Sequence, residues 1–324
     1  MKTGHFAWGV ILLLVALGTD SFAQRVSDEG VEELDAYLEL ALRAHELPGL
    51  VALVTNDRHI IYEGAFGKMD VGNDTAMEAD AIFRIASMTK PITSLGIMML
   101  VEDGVLNLED RVSGYLDSMA NREVFTSFNF DDGSYDSVPA EIEMTVRHLL
   151  THTAGLAYGF NSPELARLSN GDRISNARAY PLLHEPGEKW TYGISTRVLG
   201  DLIEERTGRG LFDFLFGRVL DPLGMADTFF SVPASATERG VTWHQRDGGS
   251  LTEIPNAGQL TSPENGDGGL YSTARDYARF VRLFLNAGRT DAGVQLVDPQ
   301  VLGLMGRNHI GDLRVESQDA ALPL

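Results

Sequence analysis

Residues 83–91 read Phe-Arg-Ile-Ala-Ser-Met-Thr-Lys-Pro and place a serine and a lysine three positions apart, at Ser87 and Lys90. We expect Ser87 to cap a helix that runs to about Val101. Residues three apart share one face of a helix, so the Lys90 amine can lie beside the Ser87 hydroxyl. Because an alcohol is a weak nucleophile at neutral pH, it needs such a base. The pattern predicts a nucleophilic Ser87 with Lys90 as its activating partner.

The same residues have a second interpretation, which is a capped helix with a solvated lysine. Serine and lysine occur three apart by chance in many chains, so the spacing alone does not decide between the two. The chemical properties of a helix N-terminus and of lysine are compatible with the nucleophilic interpretation. The N-terminus of a helix directs free N–H groups and its positive dipole end at the serine, which favours a neutral amine and stabilises an oxyanion. Burial lowers the pKa of a lysine amine, whereas arginine stays charged.

Three further segments follow along the chain. Residues 145–156 read TVRHLLTHTAGL, residues 190–200 read WTYGISTRVLG, and residues 266–277 read GDGGLYSTARDY. Together with residues 83–91, they resemble four segments of serine β-lactamase-related, penicillin-recognising hydrolases, in the same order. Residues 83–91 resemble the nucleophile segment and residues 145–156 the "LLTHTSGL" stretch. Residues 190–200 resemble the tyrosine segment, and residues 266–277 resemble the glycine-rich start of a late helix. A looser similarity extends over residues 30–310. The chain most resembles the class C-like branch, with its family VIII carboxylesterases and its D-aminopeptidase and D,D-peptidase relatives.

This resemblance implies further site residues. Tyr192 matches the tyrosine of a Y-x-N motif, which would share a proton with Lys90, help to deprotonate Ser87 and then protonate the leaving group. The third place of the motif holds Ile194 instead of asparagine. In β-lactamases that asparagine binds the substrate amide, so its absence favours an ester.

Gly268 and Gly269 are the expected substrate-binding residues of the glycine-rich segment. We expect them to permit a tight backbone beside the cleft rather than to bind a phosphate.

The resemblance also implies an α+β fold of the β-lactamase/transpeptidase type, in which an antiparallel sheet is flanked by helices and carries a large, mostly helical insertion lobe. Hydrophobic periodicity agrees, since it predicts a β-hairpin from residues 50–55 and 59–66 and helices at several later positions. Two stretches rich in polar residues and glycine, 121–143 and 231–269, indicate irregular structure. The predicted helices are 28–45, 145–151, 191–207, 211–219 and 273–287, the last with an apolar stripe of Tyr277, Phe280, Val281 and Phe284.

In this superfamily a third motif, K-T-G or H-x-G, lies on a late strand that lines the cleft and supplies a second oxyanion N–H. The resemblance continues to residues 305–309, and the chain stops at Leu324 before a glycine-rich strand occurs. We therefore expect the final strands and helix to be missing, which leaves the sheet incomplete and an edge of the N-terminal hairpin exposed. His309-Ile310-Gly311 has the form H-x-G but occurs too early in the order.

The first residues predict export. Lys2 precedes an apolar run over residues 7–18, and Ser21 and Ala23 supply small residues at the −3 and −1 positions of a cleavage site. Residues 1–23 are thus predicted to be a signal peptide, and residues 24–324 the hydrolase domain of a periplasmic or secreted protein. An uncleaved membrane anchor is the alternative. After cleavage, no remaining stretch is long and apolar enough for a stable membrane span.

Composition excludes several classes of function. The formal net charge is −20, from 46 acidic and 26 basic residues, which is unfavourable for binding nucleic acid. The chain has no cysteine, so a cysteine nucleophile and thiolate metal sites are excluded. His148 and His152 are four apart and could be two metal ligands on one helix face, but no third ligand is evident. We predict that they pack structurally and that no metal or cofactor is required.

The sequence as a whole predicts a serine hydrolase that forms an acyl-enzyme on Ser87. Hydrolysis of a small carboxylic ester is the leading interpretation. Hydrolysis of a β-lactam or of a D-amino-acid peptide uses the same mechanism and is an alternative. A binding protein that is acylated without turnover, and an inactive truncated relative, are alternatives from other classes.

Overall fold

The computed structural model describes residues 26–169, 177–247, 250–254 and 260–315. The predicted signal peptide, residues 1–23, lies outside the described residues. Within the described ranges, no helix combines the length and the apolar character needed to cross a membrane. The division of the chain at residue 23 stays a prediction.

Helices and short strands alternate along the chain in an α+β arrangement. The helices are α1 Asp28–Ala44, α2 Thr89–Glu102, α3 Val146–Leu150, α4 Pro163–Leu168, α5 Ser195–Thr207, α6 Leu211–Leu215, α7 Asp221–Leu223, α8 Ala274–Leu285 and α9 Pro299–Leu304. The strands are β1 Gly49–Thr55, β2 Ile60–Asp70, β3 Thr75–Ala76, β4 Phe83–Arg84, β5 Glu123–Phe128, β6 Tyr135–Pro139, β7 Trp243–Asp247, β8 Ser250–Ile254 and β9 Tyr271–Ser272.

The pairs among the described strands are antiparallel. The N-terminal sheet has the order β1-β2-β3, and the predicted hairpin is its first two strands. Among the described strands, β1 pairs with β2 alone, and its residue Val54 is exposed. The short pair β4–β9 joins Arg84 to Tyr271, and so sets the segment before Ser87 beside the glycine-rich segment. This pairing connects two parts of the site that are far apart in the sequence.

The main core surrounds α2. Almost every residue of this helix from Thr89 to Leu100 is buried, because its sequence is apolar on all sides rather than on one stripe. Helices α5, α6 and α9 pack against it. The helix that begins beside Ser87 is therefore held rigidly on every side, which fixes the direction of its first turn.

The start of this helix differs from the prediction. Ser87 does not cap it, since a 3₁₀ turn over Ala86–Met88 comes first and α2 begins at Thr89 without a side-chain cap. Ala86 has φ of 44°, a left-handed conformation that alanine rarely adopts. The chain needs this conformation to turn from β4 into the helix.

The two stretches predicted to be irregular each contain a hairpin. Strands β5 and β6 pair within residues 121–143, and β7 and β8 within residues 231–269. The prediction was wrong in the first case because polar residues there bond across the strands. Ser127 Oγ donates to Asp136, and Ser137 Oγ donates to Glu123. A polar composition therefore concealed a β-ladder.

Helices α5 and α8 also depart from the prediction. Helix α5 begins at Ser195, four residues later than expected, because residues 191–194 are held against another segment of the site. In α8 the predicted apolar stripe is only partly covered, since Val281 is 38% and Phe284 is 36% exposed. The buried face instead includes Arg282, whose guanidinium is paired with Asp291.

Candidate active site

The structure brings Ser87, Lys90 and Tyr192 together. The Tyr192 hydroxyl donates a hydrogen bond to Ser87 Oγ at 2.6 Å, and Lys90 Nζ lies 3.3 Å from the same oxygen. Ser87 is exposed at the surface of the site, whereas Lys90 beneath it is only 7% exposed. A substrate can therefore approach the serine from solvent while the amine stays shielded from water. The catalytic role of the three residues is a proposal that this geometry permits.

Tyr192 is held by the segment that follows α3. The backbone at Gly193 lies so close to this segment that a Cβ there would be 2.1 Å from the Leu156 carbonyl oxygen, so only glycine fits. The Asn161 side chain donates to the Tyr192 carbonyl at 2.7 Å, and the Thr191 N–H donates to the carbonyl of His152 at 2.8 Å. These contacts join two of the sequence segments and fix the phenol over Ser87.

The Lys90 amine has two further neighbours, which sequence reasoning missed. Lys90 Nζ donates to the backbone carbonyl of Asp267 at 2.6 Å and lies 3.1 Å from the Tyr158 hydroxyl. Tyr158 in turn donates to Asp267 Oδ2 at 2.7 Å. The carboxylate of Asp267 is also paired with Arg197, through Nε to Oδ1 at 3.2 Å and through the second nitrogen to Oδ2 at 3.2 Å. Asp267 and Arg197 lie inside the segments that carried the resemblance. The position of the acidic Asp267 between two glycines was the feature of the sequence that could have indicated its role.

This cluster is buried and charged. Tyr158 is 5% and Asp267 is 4% exposed. Burial, together with the adjacent Asp267 carboxylate, raises the pKa of Tyr158 far above its ordinary value of 10. Tyr158 therefore keeps its proton throughout the neutral pH range.

His148 and His152 do not share a helix face. Helix α3 ends at Leu150, and His152 lies beyond it with φ of 57°. His148 Nδ1 accepts a hydrogen bond from the Thr145 N–H at 3.2 Å, as part of the α3 capping box. Within the described part of the chain, no group of three or more histidine, aspartate or glutamate side chains is arranged to hold a metal ion.

His152 instead packs against the catalytic candidates. Its ring centroid is 5.0 Å from that of Tyr192. Burial and the positive charge of Lys90 lower the pKa of His152 from 6.5 to about 4, against the opposing effect of Asp267. His152 Nδ1 is buried and has no hydrogen-bond partner among the described residues. The imidazole is thus neutral at physiological pH and acts as part of the wall of the site.

The two predicted substrate-binding glycines have different surroundings. A Cβ on Gly268 would lie 3.7 Å from the backbone of Ala86, which is ordinary contact. A Cβ on Gly269 would lie 2.5 Å from the Pro263 carbonyl oxygen and 2.6 Å from the Phe230 ring, so packing alone requires glycine there. Substrate binding by either residue stays a prediction.

Ile194 and His309 both have structural contacts in this protein. Ile194 is 1% exposed and belongs to the main core, so it offers no polar group to a substrate. His309 Nδ1 lies 2.7 Å from an Arg147 nitrogen, and its Nε2 lies 2.8 Å from the Leu304 carbonyl. These structural contacts agree with the expectation that His309-Ile310-Gly311 is not the third motif.

A cavity of about 510 Å³ adjoins the site on the Lys90 side. Lys90, His152, Arg147 and His309 are among the residues that line it. Most of its remaining wall is apolar, from Pro91, Met98, Leu108, Leu150, Leu304, Met305 and Ile310. Its size is in the range of small-molecule sites.

Comparison with known proteins gives a consistent result. The family model described as Beta-lactamase matches residues 29–324. An uncharacterised protein of Mycobacterium tuberculosis is 34% identical over 282 residues, which are 82% of this chain and 69% of that protein. The lovastatin esterase of Penicillium rubens is 29% identical over 310 residues, which are 89% of this chain and 76% of the esterase. Among solved structures, simvastatin synthase (LovD) of Aspergillus terreus is similar with a TM-score of 0.74 at 25% identity, covering 88% of this chain and 74% of that one.

The lowered pKa of His152 gives a prediction for stability. The folded state keeps His152 neutral, so its contribution is complete above pH 6.5 and is lost as the pH falls towards 4. In a His152→Phe variant the ring packing is retained and the titration removed. Between pH 7 and pH 4.5, the free energy of unfolding of both proteins is measured by urea titration. We expect the decrease to be about 2 kcal/mol smaller in the variant than in the wild type.

The matched control is His59→Phe, which removes an exposed histidine from the turn between β1 and β2. We expect this control to follow the wild type. An identical loss of stability in all three proteins would contradict the assigned environment of His152.

Proposed function

The chain belongs to the β-lactamase family, and from this membership we propose that it is a serine hydrolase that cleaves small carboxylic esters through an acyl-enzyme on Ser87. The observation that carries the proposal is the pair of contacts at one oxygen. Ser87 Oγ is 2.6 Å from the Tyr192 hydroxyl and 3.3 Å from Lys90 Nζ. One of these groups can receive the serine proton and the other can supply a proton to a leaving group.

The reaction follows from this arrangement. Lys90 takes the proton of Ser87, and Ser87 Oγ adds to the ester carbonyl. As the C–O bond to the alcohol breaks, Tyr192 protonates the departing alkoxide and recovers a proton from the Lys90 ammonium. Water then gives a proton to Lys90 as its oxygen adds to the acyl-Ser87 carbonyl. The bond from that carbon to Ser87 Oγ breaks, Ser87 Oγ takes the proton back from the Lys90 ammonium, and the carboxylic acid leaves.

Two observations favour an ester over an amide substrate. Ile194 is buried and apolar where a β-lactamase has an asparagine for the substrate amide, so that contact has no counterpart in this chain. A relative that is similar over 89% of this chain bears the name lovastatin esterase. β-Lactam and D-amino-acid peptide hydrolysis share the chemistry but lack such support.

Labelling with a fluorophosphonate probe tests the nucleophile. We expect intact mass spectrometry to show one adduct on the wild type and none on Ser87→Ala. The control is Ser127→Ala, which removes a serine of the β5–β6 hairpin and should label as the wild type does. The wild type that has not been treated with the probe should hydrolyse p-nitrophenyl esters of short acids faster than a chromogenic β-lactam. A folded wild-type protein without an adduct would refute the proposal.

A Tyr192→Phe variant tests the proton donor. Loss of general acid catalysis should lower kcat about 100-fold or more for an ethyl ester, whose alkoxide needs a proton. The decrease should be smaller for a p-nitrophenyl ester, because nitrophenolate leaves without one. Tyr180→Phe, which removes a hydroxyl bonded to the Leu168 carbonyl, is the control. Equal losses for the two esters would contradict the assignment.

We further propose that the protein is exported, on the basis of its first 23 residues. When the full chain is produced in a Gram-negative host, the mature protein should begin at Gln24 and be found outside the cytoplasm. Leu13→Arg, which interrupts the apolar run, should prevent this processing. A membrane-bound product that retains residues 1–23 would instead support an anchor.

A further inference from the structure

We propose that buried Tyr158 and Asp267, together with the partly buried Arg197, form a positioning group that directs the lone pair of the Lys90 amine towards Ser87 before a substrate binds. The inference rests on the proposed function, because it assigns Lys90 a task in that reaction. It is carried by the donors and acceptors around a single nitrogen atom.

Lys90 Nζ has two hydrogen-bond acceptors besides Ser87. The Asp267 backbone carbonyl can only accept, so it takes one Lys90 N–H at 2.6 Å. The Tyr158 hydroxyl has a single proton, and this proton is donated to Asp267 Oδ2 at 2.7 Å. Towards Lys90, at 3.1 Å, Tyr158 can therefore only accept, and it takes a second N–H.

These two bonds determine the direction of the Lys90 lone pair. A neutral lysine amine has two N–H bonds and one lone pair, arranged tetrahedrally. Because Asp267 and Tyr158 take the two N–H bonds, the lone pair faces the remaining neighbour, Ser87 Oγ at 3.3 Å. Ser87 Oγ accepts from Tyr192, which leaves its own proton directed at Lys90. In its neutral form the amine is thus oriented as a base towards Ser87 before a substrate binds.

Arg197 determines which way the hydrogen bond between Tyr158 and Asp267 runs. If Asp267 were a neutral acid, it could donate to Tyr158, and the Tyr158 proton would then turn to the Lys90 lone pair and compete with Ser87. The bonds from Arg197 to both carboxylate oxygens, each 3.2 Å long, favour the carboxylate as acceptor and exclude this alternative. Arg197 acts on Lys90 through Asp267 and Tyr158 and touches no reacting atom.

The group is anchored on the helix that carries Lys90. Thr93 Oγ donates to the Gly266 carbonyl at 2.8 Å, and the Leu270 N–H donates to Thr89 Oγ at 3.1 Å. Both threonines are buried. Residues 266–270 therefore keep their position relative to the first turn of α2, which is the precision that an oriented lone pair requires.

The test is a Tyr158→Phe variant of the full chain, labelled with the fluorophosphonate probe across a range of pH. The ring stacks on Phe160 at 4.7 Å, and phenylalanine preserves this packing. The limiting labelling rate at high pH, where the amine is neutral in both proteins, should fall about tenfold, because an N–H is free to turn towards Ser87. The midpoint of the pH–rate profile should move about one pH unit lower, because the ammonium form loses an acceptor.

A matched control is available elsewhere in the chain. The Tyr115 hydroxyl donates to Asp110 Oδ2 at 2.8 Å, with Arg206 over the ring, so Tyr115→Phe removes the same kind of bond outside the site. Its labelling rate and midpoint should equal those of the wild type. Asp267→Asn is the second test variant, which retains the backbone carbonyl but can donate to Tyr158, and it should also label slowly with a lowered midpoint.

The outcomes separate the two proposals. A wild type that labels, with a Tyr158→Phe variant of equal rate and midpoint, overturns the positioning group and leaves the proposed function intact. A slower rate with an unchanged midpoint also overturns it, since a merely structural role gives that result. If Tyr158→Phe does not fold, the midpoint of Asp267→Asn decides in the same way. A wild type without an adduct refutes the proposed function itself.

Discussion

The bond from the Lys90 amine to the backbone carbonyl of Asp267 joins residues 177 positions apart in the chain, and the arrangement of the site depends on it. A charged or polar group beneath the surface is costly unless all of its bonds are made. Lys90 meets this condition only because α2 and the glycine-rich segment lie side by side. The β4–β9 pairing and the two threonines of α2 maintain that contact. The apolar core around α2 thus determines the position of a polar centre.

The parts of the site that the sequence could predict are those defined by local spacing. Ser87 and Lys90 are neighbours through helix geometry, and Tyr192 was identified by resemblance in a short segment. Tyr158 and Asp267 are 109 residues apart, and no local pattern indicates that they meet. The family membership and the α+β fold were predicted correctly.

Errors in the predicted elements have specific physical causes. The hairpin of β5 and β6 was missed because its polar residues satisfy one another across the strands, as in the bond from Ser127 to Asp136. The predicted cap at Ser87 was wrong because Ala86 adopts a left-handed conformation and starts a 3₁₀ turn instead. Helix α5 starts late because Gly193 is pressed against Leu156. In each case a tertiary contact outweighed a local preference.

The burial of Lys90 beneath an exposed Ser87 divides the site into an interior and a rim. The interior contains Lys90 and its buried partners, and the rim is the part that a substrate coming from solvent meets first. Variation at the rim can therefore change which compounds are accepted without altering how the nucleophile is activated. For directed evolution, this favours libraries restricted to surface positions around Ser87. It also offers a physical reason why proteins with the same catalytic arrangement can act on different substrates.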